Sequence, residues 1–286
     1  MEFSPSSLRP TFTANWHTHN RRCRHARGDF ADYAHAALAG GLSVLGISDH
    51  SPLPDDRDIG VRMHYAELPG YVEGFRVVRD AFPGLSLHLG LELEWYPDLM
   101  PGYADDLFGC GIEYLAGAPH FFARRDGSLT PAWFRLPDGE LPAALADYAA
   151  HVVRMIESLR FAFIAHPDIF GCLCAGWTPD CAAAARDIAA ASRACNVPLE
   201  INSSGFYHPW IPDGAGGTRP PYPWEPFWRI VAEAGAPVLV NTDAHDPAFL
   251  VRCVDDAFAL AARCSLAPAT YAALDGHAFR LPGAKL

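Results

Sequence analysis

The chain has 286 residues, half of them hydrophobic, enough for a sizeable core and too apolar for a disordered polymer. Its formal net charge of −11 argues against nucleic acid or an anionic membrane surface as main partner, because both call for a basic face. A small anionic substrate stays open, since bound cations would dominate the field at their site.

In chain order, residues 1–11 read as a loose lead-in. MEFSPSSLRP has no basic n-region and no long apolar run, so no signal peptide is predicted. An apolar run at 12–17 predicts the first strand and ends in the pair His17 and His19, with His25 in the loop beyond (HTHNRRCRH). A helix is expected over 29–39, opened by an acid and stopped by Gly40 and Gly41. The strand at 43–48 runs into Asp49 and His50 and is followed by a long loop, 51–62. A helix at 66–82 leads to a strand at 86–92. That strand ends in Glu92, with Glu94 two residues on and on the same face. Strands at 113–119 and 161–166 end in His120 and His166, separated by a helix at 141–159. A helix at 179–195 and a strand at 197–202 precede a loop at 203–223, rich in Pro, Gly and aromatics and long enough to be a lid. A helix at 224–234 is followed by a strand at 237–242 that delivers Asp243 and His245. Helices at 247–263 and 267–274 complete the chain.

Seven short apolar strands alternating with helices predict a parallel sheet buried on both faces. No composition shift divides the chain, so 1–286 reads as a single α/β domain. An open doubly wound sheet places its site at one switch point, whereas here nearly every strand delivers a candidate ligand, which favours a closed ring. No run approaches ~18 apolar residues, so no membrane span is expected. The eight cysteines lack a C-x-x-C pair, as expected of reduced thiols in a cytoplasmic protein.

Imidazole with carboxylate is the ligand set of zinc, iron and manganese. Six apolar runs deliver such groups at their C-terminal ends, where a β/α barrel builds its site. Singly, each fits a neutral core histidine or a solvated loop residue. Jointly they do not, because independent core histidines would not all choose the same strand end. His35, His64, His88, His151 and His277 read as structural or surface groups, while His208, in the 203–223 loop, is a candidate substrate contact.

The order of HTHNRRCRH, SDHSPLPDD, Arg62-Met63, LGLELEWYP, GAPHFF, AHPDIF, LEINSSG and NTDAH resembles the PHP (polymerase and histidinol phosphatase) family, in particular its histidinol-phosphate phosphatase branch. The resemblance implies a distorted seven-stranded (β/α)7 barrel. It also implies two to three divalent metal ions in a trinuclear site. His17, His19, Glu92 and Asp243 would hold one ion; Glu92 would bridge to a second held by His120 and His166; His25, His50 and His245 would hold the third. The implied activity is that of a cytoplasmic enzyme of histidine biosynthesis, hydrolysing L-histidinol phosphate by attack of a metal-bound hydroxide. Asp49 or His245 is expected to assist the leaving oxygen. The chain departs from the branch at Ala118-Pro119-His120 and at Phe206-Tyr207-His208, where a basic segment is usual. The phosphate-gripping arginine is therefore sought at Arg62 and Arg219. Alternatives are a related phosphatase for a nucleotide or sugar phosphate and a non-catalytic metal-binding scaffold. An amidohydrolase bridged by a carboxylated strand lysine is disfavoured, because the only lysine is Lys285.

Overall fold

The structure, a computed structural model, describes residues 12–280; the lead-in expected at 1–11 lies outside the described residues. Seven strands form one parallel sheet in sequential order: β1 (Ala14–Asn15), β2 (Val44–His50), β3 (Ser86–Leu93), β4 (Tyr114–Gly117), β5 (Phe163–Ile164), β6 (Leu199–Asn202) and β7 (Val238–Asn241). The edges β1 and β7 meet through an isolated parallel bridge, Thr18 with Ala244. Side chains help to close the seam: Asn241 Oδ1 accepts from the Trp16 backbone N–H at 2.8 Å, and Asn15 Nδ2 donates to Thr242 Oγ1 at 2.6 Å. The sheet is thus a nearly closed, distorted (β/α)7 barrel, as expected.

The helices packed outside it are α1 (Phe30–Ala39), α2 (Leu68–Ala81), α3 (Gly102–Gly109), α4 (Leu141–Glu157), α5 (Pro179–Cys195), α6 (Glu225–Ala234) and α7 (Val254–Arg263). Their starts follow capping chemistry. Asp29 and Asp32 form a capping box on α1, and Thr178 caps α5 at the Cys181 N–H.

Three expectations need correction. No helix was expected between β3 and β4, yet α3 is there; its eight residues begin and end in glycine and so carry little helical signal. The helix expected at 247–263 is a 3₁₀ turn, Pro247–Phe249, followed by α7, with Cys253 between them at φ 56°. Residues 267–274 are not helical: the chain runs extended into a hairpin, Ala273–Asp275 with Ala278–Arg280. This hairpin closes the floor of the barrel. Its Phe279 lies 4.8 Å from the Trp16 ring, 5.7 Å from Phe163 and 4.8 Å from Tyr271. These rings pack with Ala14, Val44, Tyr114 and Leu239 at the N-terminal ends of the strands.

Tyr114 crosses the interior and donates from Oη to the Trp16 carbonyl at 2.7 Å. It lies against Gly46 and Gly90, where any Cβ would collide with its ring. Gly90→Ala is therefore expected to cost about 2 kcal/mol through overpacking. Thermal denaturation should show a Tm loss of several degrees; an unchanged Tm would mean that the tyrosine has room to move.

All eight cysteines are free thiols. No helix among the described residues is long and apolar enough to cross a membrane.

Candidate metal centre

The apolar runs turn out of the barrel at their C-terminal ends, and there the candidate ligands converge. His166 and Asp243 hold φ values of 30° and 49°, a left-handed region that non-glycine residues occupy only when their surroundings over-determine it. Both follow directly on barrel segments, so the strain turns their side chains over the mouth.

Glu92, at the end of β3, is the centre of the cluster and is 1% exposed. Its Oε1 lies 3.2 Å from His166 Nε2, 3.3 Å from His17 Nε2 and 3.6 Å from His120 Nε2. Its Oε2 lies 2.9 Å from His50 Nδ1 and 3.4 Å from His19 Nε2. Burial opposes ionisation of this carboxyl. The His120, His17 and His50 rings and the hydrogen bond from His166 outweigh it and hold Glu92 well below the usual carboxylate range. Asp243 Oδ1 adds contacts of 3.0 Å to His19 and 3.5 Å to His17.

The outer nitrogens of these rings already have acceptors. His17 Nδ1 lies 2.8 Å from Glu200 Oε1, and His120 Nδ1 lies 3.1 Å from Glu94 Oε1. His25 Nδ1 faces the Cys23 carbonyl at 2.8 Å, and His245 Nδ1 faces the Asp243 carbonyl at 2.9 Å. Each acceptor suits a proton on Nδ1, which in the neutral ring leaves a lone pair on Nε2, the tautomer of a metal ligand. Against burial, the surrounding carboxylates raise His17 and His120 above the ordinary imidazole value and so attract a cation of either kind, proton or metal. The freed Nε2 atoms then face one another, His25 and His245 at 3.0 Å, and a further Nε2 pair, His17 and His19, stands at 3.1 Å. Two facing lone pairs repel, and a cation shared between them removes the repulsion. Buried polar atoms without a hydrogen-bond partner concentrate here too, among them His166 Nδ1, Asp49 Oδ2 and Asp243 Oδ1. Burial also pushes His50 down to about 4, so this ring is neutral near pH 7. The donor set therefore fits divalent cations.

Three groups bring one ligand atom from each member within 4.8 Å of the others: His17, His19 and Glu92; Glu92, His120 and His166; and His25, His50 and His245. Two further groups, His19 with Cys23 and His245, and His50 with Glu94 and His120, contain residues not expected as ligands. All nine candidate ligands thus lie in one cluster.

The remaining candidates divide. Asp49 is fully buried behind His19, with 3.6 Å between its Oδ1 and His19 Nδ1. Arg62 lines a cleft of about 500 Å³ together with His25, His50, Glu94, His120, Phe121 and Trp133. Its Nη atoms are held by Glu94 at 3.0 and 3.2 Å and by the Ser51 carbonyl at 2.7 Å. Arg219 does not line the cleft. It stacks 3.6 Å over Trp224 and donates to the carbonyls of Gly171, Pro220 and Pro221, clamping its loop. That loop contains a short antiparallel pair, Ile211–Pro212 with Thr218–Arg219. His208 stays exposed, its ring 6.0 Å from Tyr222, which itself packs 5.5 Å from His166. Tyr222 and Ser204, whose Oγ donates to Asp243 Oδ2 at 3.4 Å, are loop residues in contact with the cluster.

Glu200 had no expected role, yet it is fully buried and organises the site. It accepts from the His166 backbone N–H at 2.9 Å, from Asn202 at 2.8 Å and from Asn241 at 2.9 Å, besides holding His17. The available signal was an acid inside the apolar run VPLEIN, since such a group is buried only where it is paired.

No family model matches the chain. A Deinococcus radiodurans protein named "Probable histidinol-phosphatase" is 30% identical over 235 residues, 81% of this chain and 85% of its own length. A histidinol phosphate phosphatase from Lactococcus lactis, solved with zinc, L-histidinol and phosphate, superposes with a TM-score of 0.68 at 14% identity, covering 94% of this chain and 98% of its own. A Listeria monocytogenes structural-genomics target with the same assignment gives 0.69 at 18% identity, covering 85% and 99%. At these identities the two structures speak for the fold alone.

Proposed function

Because the chain belongs to the PHP family, in its histidinol-phosphatase-like branch, we propose that it is a metal-dependent phosphomonoesterase hydrolysing L-histidinol phosphate to L-histidinol and phosphate. The observation that carries this reading is one buried carboxylate, that of Glu92, with five imidazoles within 3.6 Å of it. Two to three divalent ions, zinc, iron or manganese, would sit at His17, His19, Glu92 and Asp243, at Glu92, His120 and His166, and at His25, His50 and His245. Bound there, they supply Lewis acidity, making a water acidic near neutral pH and countering charge on the phosphoryl oxygens.

The chain's own residues set the geometry. Glu200 and Glu94 fix the tautomers of His17 and His120, and Arg62 in turn fixes Glu94. We assign Asp49 to orienting His19. Of the two groups considered for the leaving oxygen, Asp49 is buried, and only the His245 side chain, 29% exposed, reaches the mouth. In this reading the enzyme works in the cytoplasm, in histidine biosynthesis.

Phosphate release from L-histidinol phosphate, a sugar phosphate and a nucleoside monophosphate tests the substrate. The expected result is a kcat/KM at least tenfold higher for L-histidinol phosphate. A preference for another ester would make the protein a sibling phosphatase, and no turnover of any ester with ions loaded would leave a metal-binding scaffold.

A further inference from the structure

The cleft is lined by more than candidate cation ligands. Trp133 stands there, 39% exposed. Its ring meets His120 at 5.9 Å and Phe121 at 5.0 Å, both edge to face. Those two rings, with Phe134 at 6.0 Å, hold a partly exposed indole beside a candidate metal ligand. The charged residues of the same wall are Asp58, Arg62 and Glu94. Arg62 and Glu94 neutralise each other in a buried pair at 3.0 Å. Asp58 is exposed and its Oδ2 accepts from the Tyr96 hydroxyl at 3.0 Å; Arg62 acts on it electrostatically, but among the described residues it is not in an ion pair. An indole and an exposed carboxylate lining one cleft favour a flat, positively charged group over an anionic one.

Resting on the functional reading above, we propose that Trp133 and Asp58 select the leaving group. They take its cationic, amine- or imidazole-bearing part while the phosphate lies at the histidine cluster. The preferred substrates are then phosphate monoesters of amino alcohols, and nucleotides and acidic sugars are refused at this end.

The test compares kcat/KM for L-histidinol phosphate with that for glycerol 2-phosphate, whose leaving group has neither ring nor charge. In Trp133→Ala the ratio should fall about tenfold, through a raised KM for the first ester. Trp133→Phe should restore most of it, and Asp58→Asn should lower it several-fold. Calorimetric titration with L-histidinol alone should show the same order of weakening, independently of turnover. An unchanged ratio and unchanged L-histidinol binding in both Trp133→Ala and Asp58→Asn would overturn this assignment while the phosphatase reading stood. A wild-type enzyme that cleaves glycerol 2-phosphate but not L-histidinol phosphate would overturn the substrate reading itself.

Discussion

Glu92→Gln is expected to lower kcat/KM on the best ester by about a thousandfold and to remove bound metal, while the chain stays folded. The substitution keeps shape and volume, so the barrel around β3 has no steric reason to rearrange. What changes is charge and the sense of one oxygen. Both carboxylate oxygens accept, Oε1 facing His166, His17 and His120 and Oε2 facing His50 and His19. An amide puts an N–H₂, which cannot ligate a cation, on one side and removes the negative charge that would help hold divalent ions among these imidazoles. A thousandfold is about 4 kcal/mol of transition-state stabilisation, within reach of a carboxylate that would be a ligand at two of the candidate cation positions. Metal per chain by elemental analysis, phosphate release and thermal denaturation should be read on one preparation. Wild-type activity and metal content in a folded Glu92→Gln protein would remove the central claim.

Why so much of this site was legible in the sequence, and some of it was not, has a physical cause. In a parallel barrel the strands are buried on both faces and leave nearly unbroken apolar runs. The functional groups can only follow them, at the C-terminal ends. His17, His50, Glu92, His120, His166 and Asp243 all stand at such boundaries, so their positions and the strand count could be read together. Glu200 could not, because it lies inside its run, where an acid carries no boundary signal. Its purpose shows only when His17 and the His166 backbone are seen beside it. The surroundings of the arginines were illegible for a different reason. Both lie in loops with no periodicity, and nothing in the chain says that Arg219 will stack on Trp224 or that Arg62 will be bound by Glu94. At the C-terminus, the Ala-containing segment 267–274 suggested a helix. The barrel floor needed filling, and burial of Tyr271 and Phe279 against Trp16 and Phe163 overrode local propensity. For Glu200, Arg62 and the C-terminal segment the deciding partner lies far away along the chain.

Stripping the ions with a strong chelator is expected to abolish ester hydrolysis, to below about 1% of the starting rate, and to lower Tm by roughly 10 °C. The second effect follows from the geometry of the histidines alone. With no cation, the Nε2 atoms of His25 and His245 face each other at 3.0 Å and those of His17 and His19 at 3.1 Å, in a region where several ligand atoms are buried without hydrogen-bond partners. Proton sharing relieves part of this strain, but protonating one ring sets a positive charge beside other imidazoles. Burial works against that charge first, as it does at His245, whose proton affinity burial and the neighbouring His19 lower. An ion held at about a thousandfold above its Kd stabilises the folded state by about 4 kcal/mol. In a chain of this size each kcal/mol corresponds to about 2–4 °C, so even one ion gives the stated shift. Returning zinc or manganese should restore both Tm and turnover, and a stoichiometric titration should reach two to three ions per chain. If chelation left hydrolysis intact and moved Tm by less than about 2 °C, the imidazole cluster would be a structural core whose lone pairs are satisfied by protons, and the catalytic centre would lie elsewhere on the barrel.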